Sequence, residues 1–220
     1  MGDRETTRTV YDATADHYAQ AVGTEISDAF EAPLDRELLA LFVDELGSAP
    51  GIVADLGTGV GRVAALLTRA GRDDVIGIDL SPQMLRVARR AHPAVGLAAA
   101  ALAALPLRAG SLDGAVCWYS IIHTSAADLE AVVSEIGRVL RPGCPVLFGF
   151  QAGAGESIER ANAYGTDFTL TSYRHDPATL VAILRRRGFT VRREAVRPAA
   201  LPHESSPQGF VLARFGSPDS

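Results

Sequence analysis

The residues with the clearest chemical potential form a glycine-rich turn in the first quarter of the sequence. Gly57, Gly59 and Gly61 alternate within the run DLGTGVG, which begins at Asp55 and follows a short apolar stretch. Glycines so spaced allow backbone torsions and a close ligand approach that a Cβ atom would prevent. A second acid, Asp79, ends the next apolar stretch, where a carboxylate can accept hydrogen bonds from both hydroxyls of a ribose. Together these residues predict a pocket for an adenosine-containing ligand.

Two other interpretations of this turn have to be weighed. A tight turn between a strand and a helix also occurs without any ligand, although the order of strand, turn, helix and acid argues against that here. A nicotinamide dinucleotide site requires the pattern G-x-G-x-x-G, with its third glycine inside the helix. In this chain the third glycine is Gly61, and Arg62 follows it. The spacing therefore disfavours a dinucleotide.

The elements that must position this turn alternate between short apolar runs and helical patterns. Five early strands separated by helices imply right-handed crossovers and a parallel sheet. Two further strands follow each other without a helix, so one of them must run antiparallel. The predicted fold class is α/β, a Rossmann-like, seven-stranded, mostly parallel sheet with one antiparallel strand and helices on both faces. The predicted strands are 51–57, 74–80, 95–100, 111–120, 145–151, 190–197 and 209–215.

Two segments lie outside this alternation. Residues 1–48 contain two helical patterns ahead of the first strand and are expected to form a helical cap. Residues 152–175 fit neither the helical nor the strand period, and they are expected to be a long insertion between a strand and a helix. Insertions of that length are usually functional or mobile. We expect residues 1–220 to form a single domain.

Composition and charge restrict the partners. The formal net charge is −5 and 47% of the residues are hydrophobic, so no broad basic surface is available for a nucleic acid. The N-terminal residues are charged and include no apolar signal segment, and no apolar run is long enough to span a bilayer. Cys117 and Cys144 are too few for a disulfide framework. We expect a cytoplasmic protein that binds neither nucleic acid nor membrane.

The motifs resemble those of a known family. The runs VADLGTGVGR and GIDLSPQMLRVAR are similar to motifs of the class I S-adenosylmethionine-dependent methyltransferases, especially small bacterial ones that act on small molecules. ALPLRAGSLDGAVCWYSIIHT resembles the family's stretch through its fourth strand, VLRPGCPVLFGF the approach to the fifth, and YDATADHYAQ the N-terminal cap. The resemblance implies transfer of a methyl group from S-adenosylmethionine to an oxygen, nitrogen or carbon atom of a small-molecule acceptor, in secondary metabolism.

The resemblance also implies a set of cofactor-binding residues. Many relatives carry an acid near the position of Ala101 that accepts from the adenine amino group, whereas this chain has only alanines and leucines there. Adenine recognition is therefore expected to rest on backbone groups and packing. The implied cofactor-binding residues are Tyr18, Asp55, Gly57, Thr58, Gly59, Gly61, Asp79, Leu80, Met84, Ala101, Leu102, Trp118 and Tyr119.

His123 is the candidate catalytic residue, because it follows the fourth strand in the region that faces the acceptor in this fold. The ordinary imidazole pKa of about 6.5 suits a general base near neutrality. Two alternatives stay open: His123 shapes the pocket by hydrogen bonding, or it has no role in the site. A base is needed only where the acceptor must lose a proton.

Three further residues are candidates for acceptor binding, together with His123. Tyr11 shares a helical face with Tyr18, and the pair forms either a lid over the cofactor or a packed helix face. Tyr164 and Arg174 belong to the insertion 152–175, which is expected to overhang the acceptor site. Arg174 either binds a substrate carboxylate or is a structural or solvated arginine.

Several other functions are weighed against this one. Cys117 lies in an apolar strand without a base nearby in sequence, so we expect an inert core thiol. The acids show no metal-site spacing, and no metal is expected. The rival functions are an enzyme that binds the same cofactor without methylating, such as a cyclase or a decarboxylase, and a non-catalytic cofactor-binding module. The assembly state is open, with a homodimer among the alternatives.

Overall fold

The structure, a computed structural model, describes residues 3–216 and is built around a seven-stranded sheet. The strands, numbered in chain order, are β1 Val53–Leu56, β2 Val75–Asp79, β3 Gly96–Ala99, β4 Gly114–Trp118, β5 Pro145–Gln151, β6 Ser157–Arg160, β7 Leu170–Tyr173, β8 Phe189–Arg197 and β9 Gln208–Phe215. The large sheet has the order β3-β2-β1-β4-β5-β9-β8, and β6 pairs with β7 separately. β9 is antiparallel to both of its neighbours, while β1 to β5 are parallel. The predicted fold class is confirmed.

Within residues 3–216, six α-helices surround the sheet. They are α1 Asp3–Val22, α2 Pro33–Leu46, α3 Arg62–Arg69, α4 Pro82–Ala91, α5 Ala126–Val139 and α6 Pro177–Arg186. Alternate residues of β4 enter different apolar cores. Ala115 and Cys117 pack with α5 and α6, whereas Val116 and Trp118 pack with α2 and α3. Because successive side chains of a strand point to opposite faces, helices cover both faces of the sheet.

The cap helix α1 is fastened to the start of α4. Ser81 caps α4 by accepting a hydrogen bond from the backbone N–H of Met84 at 3.1 Å, as its sequence position predicts. The Ser81 hydroxyl in turn donates to Asp12 Oδ1 of α1 at 2.6 Å, and the Gln83 backbone N–H donates to the same oxygen at 3.2 Å. A carboxylate at a helix N-terminus is electrostatically favourable. The contact holds α1 against the carboxyl edge of the sheet.

The segment 152–175 is more regular than the sequence predicts. It contains the antiparallel hairpin of β6 and β7, with a short 3-10 turn between them at Ala163–Gly165. Each hairpin strand has only four residues, and those of β6 are exposed or half-buried. The apolar alternation that normally indicates a strand is therefore missing from the sequence. Leu170 of β7 and Ala163 pack against Val10 of α1, so the hairpin is attached to the cap helix.

Two further features concern the whole described chain. Cys117 and Cys144 are both free thiols, and burial raises the pKa of Cys117, which disfavours its thiolate. Among residues 3–216, no helix combines the length and the apolar character that crossing a membrane requires.

Candidate cofactor and acceptor site

A cavity of about 860 Å³ lies at the carboxyl ends of the parallel strands. Its walls are formed by the turns that follow β1, β3 and β4 and by the last residue of β2. In an open parallel sheet this edge is where ligands bind. The helix α1 and Tyr164 of the hairpin segment border the same cavity. The cap and the segment 152–175 therefore meet at the site.

The three glycines of the turn all adopt positive φ angles, +79° at Gly57, +53° at Gly59 and +90° at Gly61. A Cβ atom at position 57 would lie 2.1 Å from Ser120 Cβ, and one at position 61 would lie 2.7 Å from His92 Cδ2. A Cβ atom at Gly59 would meet no protein atom within 4 Å. Gly57 and Gly59 line the cavity, whereas Gly61 shapes the turn from outside its wall. The turn therefore leaves space for a ligand at Gly59 in particular.

Asp55 is buried beneath the turn and holds it in place. Its Oδ2 accepts hydrogen bonds from Thr58 Oγ1 at 2.6 Å and from the Ala64 backbone N–H at 2.9 Å. Burial raises the pKa of Asp55 to about 6, although both hydrogen bonds oppose this shift. Asp55 also borders the cavity. The residue links the end of β1, the turn and the first turn of α3.

Asp79 closes the other side of the turn. Its Oδ2 accepts from the Gly59 backbone N–H at 2.8 Å, and its Oδ1 accepts from the Ser81 backbone N–H at 2.8 Å. Burial raises the pKa of this carboxyl, and the two backbone hydrogen bonds act against that rise. A carboxylate has about four lone-pair sites, so Asp79 keeps acceptor capacity toward the cavity. The acid and the glycine turn form one unit.

One end of the cavity is apolar. Leu80, Met84, Ala101 and Leu102 line it, and Met84 is fully buried. No acidic side chain occurs among residues 100–103, which also line this end. A flat, apolar ligand surface such as a purine would pack here.

Another part of the cavity wall is aromatic. Tyr11 and Tyr18 of α1 lie with their ring centroids 6.1 Å apart, and Tyr164 lies 5.9 Å from Tyr11 and 5.6 Å from Tyr18. The His123 ring lies 5.4 Å from that of Tyr11. Tyr164 has a left-handed backbone, with φ of 51°, a conformation in which non-glycine residues are uncommon. The structure thus brings four sequence-predicted residues together.

His123 is hydrogen-bonded at both ring nitrogens. Its Nδ1 lies 2.8 Å from the carbonyl oxygen of Thr171 in β7, and its Nε2 lies 2.8 Å from the Tyr11 hydroxyl. Because a carbonyl oxygen only accepts, Nδ1 carries the proton and Nε2 accepts from Tyr11. Burial lowers the pKa of His123, and the bond to Thr171 acts in the opposite direction. The imidazole is therefore neutral near pH 7.

Trp118 ends β4, Tyr119 follows it, and both line the cavity. Tyr119 has a φ of 55°, and its backbone N–H donates to the Gly149 carbonyl at 2.7 Å. A Cβ atom at Gly149 would lie 2.7 Å from Trp118 Cε3, so this glycine makes room for the indole ring. Within residues 3–216, the buried Trp118 Nε1 has no hydrogen-bond partner.

Some residues of the site differ from those expected. Arg174 lies outside the cavity wall, where it pairs with Glu156 at 3.5 Å and donates to the Ser205 carbonyl at 3.1 Å. Ser120 lines the cavity but was not expected there, although it continues the run after β4. The arginines that line the cavity are Arg4, Arg8 and Arg62. In the described part of the chain, no His, Cys, Asp and Glu side chains group so as to hold a metal ion.

Comparison with known proteins agrees with this geometry. Residues 53–143 match the family model described as a methyltransferase domain. A demethylmenaquinone methyltransferase of Thermus thermophilus is 38% identical over 103 residues, 44% of this chain and 46% of that protein. The structure of 1,6-didemethyltoxoflavin-N1-methyltransferase from Burkholderia thailandensis, with bound S-adenosylhomocysteine, has a TM-score of 0.72 at 22% identity and covers 99% of this chain and 92% of that one. The 4+2 cyclase SpnF has a TM-score of 0.74 at 15% identity, with 98% of each chain covered.

The fold and the site define an α/β protein with a glycine-rich turn that lines a cavity at the carboxyl edge of a Rossmann-like sheet. The residues 53–143 that match the methyltransferase domain include the glycine turn, Asp79 and the end of β4, the motifs that resemble the class I S-adenosylmethionine-dependent methyltransferases. The resemblance seen in the sequence is thereby confirmed. The chain spans about half the length of the curated relatives it matches.

Proposed function

We propose that the protein transfers a methyl group from S-adenosylmethionine to an oxygen, nitrogen or carbon atom of a small-molecule acceptor in secondary metabolism. The observation that carries this proposal is the hydrogen bond of 2.8 Å between the Gly59 backbone N–H and Asp79 Oδ2 at the cavity wall. It joins the glycine turn and the ribose-binding acid into one surface, beside space for a nucleoside.

The residues present fit S-adenosylmethionine. Asp79 would accept from the ribose hydroxyls, and the turn at Gly57 and Gly59 would face the ribose and the methionyl group. The apolar end at Met84 and Leu102 would pack against adenine. When bound, S-adenosylmethionine supplies a methyl group on a positively charged sulfur, so the chain needs no nucleophile of its own.

The acceptor end is proposed to lie under the cap. Tyr11 and Tyr164 line the cavity from α1 and from the segment 152–175, so both elements would exclude water and position the acceptor. This placement supports one methyltransferase domain over residues 1–220, with a cap at 1–48 and an insertion over the acceptor site. Of the four acceptor-binding candidates, Arg174 has the least support.

The setting and partners of the protein are part of the same proposal. The two free cysteines support a reducing compartment such as the cytoplasm. A net charge of −5 supports a small-molecule acceptor over a nucleic acid. A homodimer remains an alternative to a monomer.

A second candidate function uses the same pocket without methyl transfer. A protein named as a 4+2 cyclase shares this fold with a TM-score of 0.74, so the architecture by itself does not specify methylation. A cyclase or decarboxylase would bind the cofactor and release it unchanged. A non-catalytic binding module would do the same.

Mass spectrometry with a labelled cofactor separates these functions. The protein is incubated with trideuteromethyl-labelled S-adenosylmethionine and an extract of bacterial small molecules. Methyl transfer predicts one labelled methyl group on a product and an equal amount of S-adenosylhomocysteine. Asp79→Asn should lose this activity, whereas the matched variant Asp73→Asn, at an exposed acid outside the cavity, should keep it. Cofactor binding without either product would contradict methyl transfer and favour the second candidate.

A further inference from the structure

Three elements meet in one short chain of hydrogen bonds at the aromatic part of the cavity wall. The Tyr11 hydroxyl of α1 lies 2.8 Å from His123 Nε2, and His123 Nδ1 lies 2.8 Å from the Thr171 carbonyl of β7. The Thr171 carbonyl fixes the direction of both hydrogen bonds, because it accepts the Nδ1 proton and leaves Nε2 to accept from Tyr11. The basic lone pair of His123 is therefore occupied by the Tyr11 hydroxyl.

This arrangement changes how His123 can act as a base. Although His123 lines the cavity, its basic lone pair is bonded to Tyr11, so an acceptor proton reaches it through the Tyr11 oxygen, which still has lone-pair capacity and borders the cavity. When the Tyr11 oxygen takes up a proton from the acceptor, the original Tyr11 proton can pass to His123 Nε2, and the tyrosine stays neutral. The Thr171 carbonyl then stabilises the resulting imidazolium through the Nδ1–H bond.

The side chains that line the cavity around these hydrogen bonds indicate what kind of molecule approaches them. Planar aromatic ligands pack well against such rings, edge to face or offset. A hydroxyl group on an aromatic ring has a pKa of about 10, so it is protonated at neutral pH and profits from a base. The aromatic side chains that line the cavity besides His123 are Tyr11, Tyr18, Trp118, Tyr119 and Tyr164.

We propose that the acceptor is an aromatic molecule with a hydroxyl group and that Tyr11, backed by His123, takes the proton of this hydroxyl during methyl transfer. This inference rests on the methyl transfer proposed above. The acceptor O–H bond breaks as its proton passes to the Tyr11 oxygen, and the Tyr11 proton passes to His123 Nε2. The acceptor oxygen forms a new bond to the methyl carbon, and the bond between this carbon and sulfur breaks. Its electron pair stays on the sulfur, which becomes a neutral thioether. The positive charge of the sulfonium thus ends on the imidazolium, which later returns its proton to solvent.

Other titratable and charged groups surround the pair. Burial, followed by the neighbouring Tyr164, Tyr18 and Asp79, raises the pKa of the Tyr11 hydroxyl and favours its neutral form. Tyr173 lies on the same strand as Thr171. The charged residues of α1 at the cavity or beside it are Arg4, Glu5, Arg8 and Asp12.

Two phenols of different acidity test the proposal. At about pH 8, 4-nitrophenol is largely ionised and 4-methylphenol is almost fully protonated. His123→Gln and Tyr11→Phe should lower kcat/KM for 4-methylphenol by about 10²-fold or more, and for 4-nitrophenol by less than about tenfold. His203→Gln, at an exposed histidine, should leave both values unchanged. Tyr18→Phe, in the same ring cluster without a bond to His123, should lower both by the same factor.

Several results would overturn the proposal. An equal loss for both phenols in His123→Gln would assign the pair a structural role. Labelled methyl groups found only on non-aromatic molecules of the extract would refute the acceptor class and leave methyl transfer intact. The absence of any methyl transfer would overturn both.

A readout without turnover covers the case in which a variant fails to fold. Nitrogen-15 NMR of the wild-type histidines should show His123 in the neutral tautomer with the proton on Nδ1. Tyr11→Phe should change the Nε2 shift of His123, since Nε2 loses its donor, while S-adenosylhomocysteine binding is kept. A proton on Nε2 of the wild-type His123 would contradict the proposed direction of transfer.

Discussion

At the scale of single residues, the cavity wall combines the buried Asp55 and the half-buried Asp79 with glycines at positive φ angles. Gly59 is distinctive because its φ is +53° and a Cβ atom would enter open space rather than protein. A side chain there would compete with the ligand rather than with the fold. Gly57 differs, since a Cβ atom would lie 2.1 Å from Ser120 Cβ.

We expect Gly59→Ala to weaken S-adenosylhomocysteine binding by at least about tenfold while it costs only about 1–2 kcal/mol of stability, the usual strain of a left-handed residue. Gly71→Ala is the matched control, because Gly71 also has a positive φ and open space around its Cβ position but lies outside the cavity. Calorimetry and thermal unfolding measure the two effects. Equal affinities in both variants would show that position 59 does not face the ligand.

The ionisation of Asp55 predicts a pH effect. Burial raises its pKa to about 6, from an ordinary value near 3.8, so its carboxylate is lost at a higher pH than usual. Affinity for S-adenosylhomocysteine should therefore fall as the pH drops through about 6, since the ligand itself does not titrate there. Asp55→Asn should bind weakly and without this dependence, and Asp73→Asn should behave as wild type. If Asp55→Asn kept the same pH dependence of affinity, protonation of Asp55 would not be its cause.

At the scale of elements, α1 is attached to the site by side chains rather than by backbone pairing. Asp12 accepts from Ser81 Oγ and from the Gln83 backbone N–H at the start of α4, and Tyr11 bonds to His123 after β4. These hydrogen bonds hold the helix over the cavity together with the apolar packing of Val10 and Ala15. Its position should therefore control how fast a ligand leaves.

We expect Asp12→Ala to lower the free energy of unfolding by about 1 kcal/mol and to accelerate the dissociation of S-adenosylhomocysteine, because it leaves the start of α4 without its acceptor. Asp16→Ala on the same helix removes an exposed ion pair with Arg90 and should have little effect. Stopped-flow displacement measures the dissociation rates. Unchanged dissociation in Asp12→Ala would indicate that α1 does not gate the cavity.

These contacts also show what the sequence could and could not predict. Periodicity predicted the seven strands of the large sheet, and the turn with Asp79 was predicted from residue types at strand ends. The bond between Tyr11 and His123 joins residues 112 positions apart, a pairing that no local pattern encodes. The hairpin was missed because the residues of β6 are exposed or half-buried. The sequence left open whether Arg174 binds the acceptor or is structural, and its ion pair with Glu156 supports the structural alternative.

At the scale of the whole molecule, a buried ionic cluster joins α2 to the C-terminal strands. Arg197 of β8 donates from Nε to Asp35 Oδ1 at 2.6 Å and from Nη1 to Glu204 Oε2 at 2.8 Å. Asp35 is 0% exposed and Arg197 is 7% exposed. Removing one partner of such a cluster leaves a buried charge without compensation.

We expect Arg197→Leu to destabilise the protein by about 3–5 kcal/mol, as measured by chemical denaturation. The loss should shrink as the pH falls, because the Arg197 guanidinium, acting against burial, holds the pKa of Glu204 low, at about 2, and protonation neutralises this carboxyl once its partner is missing. Arg186→Leu, which breaks an exposed pair with Glu130, should cost less than about 1 kcal/mol. Similar losses of unfolding free energy in the two variants would mean that the buried cluster stabilises the protein no more than an exposed ion pair does.

The central claim is that the glycine turn and Asp79 together hold the cofactor. Isothermal titration calorimetry with S-adenosylhomocysteine tests this claim most directly. We predict that the wild type binds one molecule per chain and does not bind NAD, and that Asp79→Asn weakens binding by about tenfold or more, the effect of losing a charge-assisted hydrogen bond. Asp73→Asn should match the wild type. Binding of NAD instead, or an unchanged affinity in Asp79→Asn, would contradict the account.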